Sequence, residues 1–263
     1  MRKNYLEILW IVCQFGFGIL VAVGILLGIY GFFSQSDQVG FWINVIAAIF
    51  LGGLGYFFVS PIREARERNA HFKRLLREMG SRSNEVAIRA VEELRVLGYL
   101  TDGSIPKGTN FSWANLRNAP LEKAKLKGVN LSFAHLEGAD LRSTEFESAD
   151  LSNARLEKAA LLHTNFEKAD LNSAHFEGTV LFSVFFKKAH LYNAFFRNAV
   201  FIFTNFSGAD LYGADLRGAE FSKDKLIRGM IFKGENVFEG TELPDGSFWN
   251  KDTDMAKFTN QQK

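Results

Sequence analysis

From Phe111 to Leu226 a Leu or Phe stands on every fifth residue, and two positions before nearly every one stands Ala, Thr or Val. Polar and charged residues fill the places between, as in Ala114-Asn115-Leu116, Ala139-Asp140-Leu141, Ala169-Asp170-Leu171 and Ala209-Asp210-Leu211. On a helix of 3.6 residues per turn, a step of five moves each apolar group about 140° round the axis, so no single face would be apolar. A flat strand fails too, because an odd step puts successive Leu residues on opposite faces. The pattern predicts a chain that bends at each five, with every Leu or Phe pointing to a common interior and a small side chain at the tight inner corner.

Ahead of this repeat the pattern changes. Ile8 to Phe33 and Phe41 to Ser60 carry no charged side chain over about 26 and about 20 residues, each enough to cross a hydrocarbon layer roughly 30 Å thick at 1.5 Å per residue. The pair predicts a transmembrane hairpin over residues 1–60, turned at Ser34 to Gly40. The first stretch is too long for a cleaved signal peptide, and no Ala-x-Ala site follows it. Arg2 and Lys3 precede the hairpin and Arg63, Arg66, Arg68, Lys73, Arg74 and Arg77 follow it, whereas the loop holds only Asp37. The positive-inside bias puts both ends, and the repeat with them, in the cytoplasm, with a bacterial plasma membrane as the expected setting. Gly24 with Gly28, and Ala48 with Gly52, form small-residue faces that permit close approach within the hairpin or between protomers. Gln14 and Tyr56 fall at similar depth and are expected to face one another. Interfacial polar residues and incidental glycines are the plainer alternative.

Residues 61–106 predict a helical linker and N-terminal cap. Ile62, Ala65, Asn69, Phe72, Leu76 and Met79 alternate in threes and fours, a narrow seam that suits either a short coiled coil with Asn69 fixing register or a basic helix lying on anionic headgroups. A second helix is expected from an N-cap at Ser83 through Val86, Ala90, Val91, Leu94 and Leu97 to Gly98. It is placed to cover the first coil of a solenoid, whose exposed end needs a cap.

The fives resemble the pentapeptide-repeat family, whose units follow Ala-(Asp/Asn)-Leu-x-x, over 24 consecutive units. The resemblance implies an all-β, right-handed quadrilateral β-helix with four units per coil. Residues 107–230 would then make about six coils roughly 4.8 Å apart, a rod about 29 Å tall. The stretch Glu93 to Ser104 also resembles the leader before repeats in membrane-anchored relatives. Residues 231–263 lose the period and are read as a C-terminal cap and tail, with a turn at Pro244-Asp245-Gly246 and with Phe248, Trp249, Met255 and Phe258 as capping candidates. Asp252 and Asp254 read as a solvated turn.

Charge narrows the functions. Residues 109–229 hold 15 Lys and Arg against 14 Asp and Glu, so the rod is balanced. It lacks the negative field of the DNA-mimicking, gyrase-inhibiting members of the family, and it shows no basic stripe for nucleic acid. The single Cys13 allows neither an internal disulfide nor a thiolate zinc site.

Four units per coil place residues twenty apart in columns. On the wall carrying Leu161, Leu181 and Phe201, the outward neighbours are Ala160 and Leu162, Val180 and Phe182, Val200 and Ile202, with Phe185, Phe195 and Phe203 as flanks. An apolar strip across three rungs marks an interaction surface for a partner protein or a second copy; the protein's own tail, its preceding helix or membrane lipid are the other occupants. His135 and His175 share a column but stand two rungs apart with Arg155 between, too far for a shared metal or a proton relay. No nucleophile, phosphate loop or carboxylate pair is recognisable. The expectation is a non-enzymatic, membrane-anchored scaffold, without metal or cofactor, that presents a rigid cytoplasmic β-helix. An accessory subunit of a transporter or channel is the alternative, and a DNA-mimic topoisomerase inhibitor is less favoured.

Overall fold

The computed structural model of the chain describes residues 60–221 and 241–249. The chain divides into two compact units, Met1–Arg68 and Asn69–Lys263. Apart from Ser60, the expected membrane spans lie outside the described residues, and with them Gln14, Gly24, Gly28, Ala48, Gly52 and Tyr56. The capping candidates Met255 and Phe258 lie outside them as well. Among the described residues no helix is long and apolar enough to cross a membrane.

In the first unit, residues 60–68 are helical and almost wholly exposed. Ion pairs one turn apart, Arg63 with Glu67 and Arg68 with Glu64, decorate them, and such pairs add a few tenths of a kcal/mol each. The second unit opens with helical residues 69–79 (α1). Leu75 and Met79 are buried, and Phe72 and Leu76 pack partly against the core. Of the predicted seam, Ile62, Ala65 and Asn69 are exposed, and Leu75, which the alternating spacing passed over, is fully buried. The buried stripe is set by packing within the unit, and it begins only at Phe72.

Helix α2 spans Asn84–Val96 and buries Ala87, Ala90, Val91 and Leu94. Two expectations change here. Ser83 has the extended backbone of an N-cap, but its side chain makes no cap hydrogen bond. Val86 is half-buried and Leu97 exposed, so the stripe is rotated toward Ala87. At the start of the helix the Asn84 side-chain amide donates to the carbonyls of Asn115 and Arg117, both at 3.0 Å, and ties its first turn to the rod. Gly98 follows the helix at φ +81°, a left-handed exit that glycine adopts without strain.

The fives then wind into a β-helix. From Phe111 to Phe221 every fifth residue is buried, and so, from Ala114 onward, is every residue two places before one. Parallel bridges join residues twenty apart, as in Asn110 to Asn130, Asn115 to His135, Pro120 to Asp140 and Lys125 to Glu145, which makes four walls per coil. The hydrogen bonds repeat with the coil. His135 N–H donates to Ala114 O (2.9 Å), Leu116 N–H to His135 O (2.7 Å) and Asn118 N–H to Glu137 O (3.0 Å). The residue two after each Leu or Phe turns the corner with positive φ, even where it carries a side chain, as at Trp113 (+62°) and Lys158 (+62°). A side chain in that region costs roughly 1–2 kcal/mol, and the ladder bonds on either side hold it there.

Inside, aromatic rings stack along the columns. Phe146, Phe166, Phe186 and Phe206 follow one another at 5.2, 5.3 and 5.0 Å, and the Phe176–Phe196 pair meets them edge to face. Of the Thr residues at the small position, Thr144 and Thr164 donate to a carbonyl of the coil below, Leu121 O (2.8 Å) and Leu141 O (2.9 Å), whereas Thr179 donates to Phe176 O in its own coil (2.7 Å).

Both ends of the rod are closed by the chain itself. On the first coil, Asn115 N–H donates to Ser81 O and Lys125 N–H to Leu100 O, while Pro120 between them has no N–H to leave open. At the other end, Asp215 pairs in parallel with Glu242, Leu243 is fully buried, and Thr241 Oγ1 donates to Leu211 O at 2.6 Å. Residues 241–243 thus continue the Leu216 wall and cover the last coil, although they stand off the twenty-residue period. The triplet Thr241-Glu242-Leu243 has the repeat's own form, but its offset from Ala214-Asp215-Leu216 is 27 rather than 20, which hides it from a search at fixed period. The turn at Pro244-Asp245-Gly246 is present, with Gly246 N–H donating to Leu243 O. Phe248 is 65% exposed, whereas Trp249 packs against the core.

Candidate functional site

The four walls differ in chemistry. On the Leu161–Leu181–Phe201 wall the isolated bridges give way to a three-stranded parallel sheet, β1 Val180–Phe182, β2 Val200–Ile202 and β3 Glu220–Phe221. Its register is Val180 to Val200 to Glu220. Val180, Val200 and Ile202 are β-branched, the residue type that fits a pleated surface best, and this accounts for regular strands forming here and not on neighbouring walls. Their side chains point outward beside the buried Leu181 and Phe201. Val180 is 53% and Leu162 37% exposed, Ala160 is exposed, and Phe182, Val200 and Ile202 are half-buried.

Of the three flanking residues, the structure puts one at the strip's own corner and the other two on the adjoining walls. Phe203 sits at the corner, its ring 5.5 Å from that of Phe182. Phe185 begins the next wall, in register with Asn165 and Asn205. Phe195 lies on the preceding wall, stacked at 4.6 Å on His175, so its ring serves a different surface. Its column places it there: residue 195 is twenty from 175, not from a member of the strip.

That preceding wall, over the Leu156, Phe176 and Phe196 column, is built from charges. Arg117 reaches His135 Nδ1 (2.9 Å) and Glu137 Oε1 (3.0 Å). Arg155 donates through Nε and Nη2 to Glu157 Oε1 and lies 3.3 Å from Glu137 Oε1. His175 Nδ1 is 3.1 Å from Glu177 Oε1, and Arg197 and Arg217 both engage Asp215. Burial pushes the Glu137 carboxyl up, but a backbone N–H, His135 and Arg117 together outweigh it and hold the group below its ordinary 4.5. The hydrogen bonds that Arg155 donates to Glu157 push its guanidinium further up.

Two rungs separate His135 from His175, as their spacing predicts, but the carboxylates on the intervening and adjoining rungs change what the wall can do. Glu157, His175 and Glu177 each bring a ligating atom within 4.8 Å of the other two. The signal was legible as His-x-Glu at 135–137 and 175–177 with Arg-x-Glu at 155–157, which the twenty-residue coil stacks into one patch; a reading confined to the histidines missed it.

The wall bearing Phe111 ends in stacked aromatic pairs, Trp113 with Phe133 at 4.3 Å and Tyr192 with Tyr212 at 5.2 Å, and Arg82 lies over the Trp113 ring. The wall bearing Phe146 and Phe166 carries Lys127, Lys168 and Lys187 paired with Glu145, Glu147 and Glu167. The lysines and glutamates of the Phe146–Phe166 wall pair with one another, and Asp150, Asp170 and Asp210 on the Phe111 wall accept from backbone N–H groups two residues on, whereas the strip's outward side chains are apolar.

The family model described as Pentapeptide repeats matches residues 107–142, 149–187 and 186–218, in 8 copies. No curated protein matches the chain. Among solved structures, it is similar to full-length QnrB1, a plasmid-mediated fluoroquinolone resistance protein, at 19% identity, covering 46% of this chain and 84% of that one with a TM-score of 0.27. It is similar to a pentapeptide repeat protein of the Arabidopsis thaliana thylakoid lumen at 28% identity, covering 42% and 67% with a TM-score of 0.20. It is also similar to HetL, involved in heterocyst differentiation regulation in the cyanobacterium Nostoc sp. strain PCC 7120, at 23% identity, covering 54% and 86% with a TM-score of 0.18. The five-residue burial, the twenty-residue ladder and the match to the pentapeptide-repeat model thus fall on the same stretch of the chain, within residues 107–218.

Proposed function

We propose that the chain is a non-enzymatic, membrane-anchored scaffold whose β-helix presents the strip around Val180, Phe182, Val200 and Ile202 to another protein or to a second copy. The observation that carries this reading is the strip itself, an outward apolar surface on the one described wall that forms regular strands. A contiguous apolar patch bounded by polar residues is the usual mark of a docking surface. Rigid β-branched side chains lose little entropy when such a surface is covered.

Anchoring rests on the two uncharged stretches at residues 8–33 and 41–60 and on the basic residues that follow them. It puts the rod at the cytoplasmic face. The balanced charge of the repeat disfavours the DNA-mimic alternative, which needs a strongly negative rod.

The test is a photoreactive residue at position 182 of the full chain in membranes. It is expected to give one discrete crosslinked species, which Val180→Lys with Ile202→Lys abolishes. Surface changes of this kind typically alter stability by no more than about 0.5 kcal/mol, so circular dichroism and thermal unfolding should be unaltered. A crosslink that survives the double substitution refutes the strip as the site. Extraction of the full chain by alkaline carbonate, without detergent, would refute the anchor independently.

A further inference from the structure

We infer that the charged wall holds a divalent transition-metal site made by Glu157, His175 and Glu177, independent of the apolar strip. The three residues come from two adjacent rungs, and a ligating atom of each lies within 4.8 Å of the other two. One imidazole nitrogen and two carboxylate oxygens form a mixed donor set that suits Zn²⁺ and its first-row neighbours better than Ca²⁺ or Mg²⁺, which prefer oxygen alone. Ligand-to-metal distances near 2.0–2.2 Å require the three donors to draw together slightly, a movement within reach of the half-buried Glu side chains.

The second observation concerns atoms with nowhere else to go. Oε2 of Glu157 and Oε2 of Glu177 are both shut off from solvent and accept no hydrogen bond. A carboxylate oxygen in that state loses its hydration without compensation, and a bound cation would supply what the protein does not. The surroundings fix the donors. Arg155 uses both Nε and Nη2 on Glu157 Oε1, which orients that carboxylate and leaves Oε2 as its free atom. Phe195 stacks on the His175 ring at 4.6 Å with the planes 17° apart, holding the imidazole edge-on to Glu177. Groups of this kind around a metal ligand ordinarily set its orientation.

The same wall shows why this rung qualifies and the one two coils below does not. Glu137 Oε2 is likewise shut off from solvent, but at His135 and Glu137 a guanidinium already fills the gap. Arg117 Nη2 lies 2.9 Å from His135 Nδ1 and 3.0 Å from Glu137 Oε1. The position equivalent to Arg117 beside His175 is Glu157, one coil down in the same outward column, so a carboxylate stands where the lower rung has a cation. Arg155 sits beneath and is engaged by Glu157 and Glu137, whereas Glu177 is paired with His175. Charge around the upper position is therefore negative when His175 is neutral.

The experiment uses the full chain purified in detergent, stripped with a chelator and titrated with Zn²⁺ by calorimetry. Co²⁺ is used in parallel for its visible absorption. One equivalent should bind, and Zn²⁺ should raise the thermal midpoint, as any ligand specific to the folded state does. Loss of an outer partner of a metal site costs roughly 10- to 100-fold in affinity; His175→Ala and Glu177→Gln, which remove ligands, should cost at least that. His135→Ala should leave binding unchanged. These side chains are outside the core, so the variants should keep the wild-type circular dichroism. Absence of Zn²⁺ binding overturns the assignment, as does binding that survives His175→Ala or is lost in His135→Ala.

Discussion

Phe186 is the residue on which most of the interior converges. It stacks on Phe166 at 5.3 Å and on Phe206 at 5.0 Å, and it meets Phe176 and Phe196 edge to face. Edge-to-face and offset stacked rings attract beyond the burial of their area, and a coil held by ladder bonds on both sides cannot collapse into a gap. Phe186→Ala is therefore expected to cost about 3–5 kcal/mol, measured by urea denaturation. A loss well below that range would mean the rungs close over the cavity. Burial of Phe186 was legible in the five-residue spacing alone, because every fifth residue must face inward if the chain turns at each unit. The stacking distances were not, since they depend on the rise between coils.

Among the elements, α2 shows how an end is made. Its interior stripe Ala87, Ala90, Val91 and Leu94 packs into the same core as the first coil, and Asn84 ties its first turn to two carbonyls of the rod. Leu94→Ala should destabilise by about 2–5 kcal/mol and Asn84→Ala by about 1 kcal/mol, the net value of a typical internal hydrogen bond. Amide hydrogen exchange would then quicken first at Asn115 and Lys125, whose N–H groups donate to Ser81 and Leu100 beside the helix. Uniform exchange along the whole rod would contradict this local cap. The helix itself could be read from its periodicity, but its rotation could not, because that depends on packing and hydrogen bonds to a rod about thirty residues away in the chain. For the same kind of reason Leu243 escaped notice: its place in the coil is decided by pairing with Asp215 and Leu216, not by distance along the chain.

The molecule as a whole carries a balanced charge that is arranged by wall. Glu137 and Asp140 both have folded-state values below their ordinary 4.5 and 3.8. For Asp140 the Arg142 guanidinium is the main cause, ahead of the opposing effect of burial. A carboxylate lowered by folding binds its proton more readily when unfolded, so its contribution is complete above the ordinary value and is lost as pH falls through the lower folded one. The urea midpoint should accordingly stay level on the acid side of neutrality and drop as pH falls below roughly 4.5. Glu137→Gln should reduce the drop. A midpoint that rises on acidification would contradict it. The loss should remain modest, since these groups are partly exposed and solvent screens them.

The winding of residues 107–218 follows from local rules: a period of five excludes helix and flat strand, and small residues at the inner corner permit the bend. That much any reader of the chain can derive, together with the apolar strip, because columns twenty apart follow once four units make a coil. The membership of each wall in chemical terms needed the fold. Phe195 parted from the strip and joined His175, and Glu157 and Glu177 closed around that histidine, through side chains meeting across rungs. Linear spacing sets which residues share a column; which of their atoms touch is set by the corner geometry and by the neighbours that hold each side chain in place.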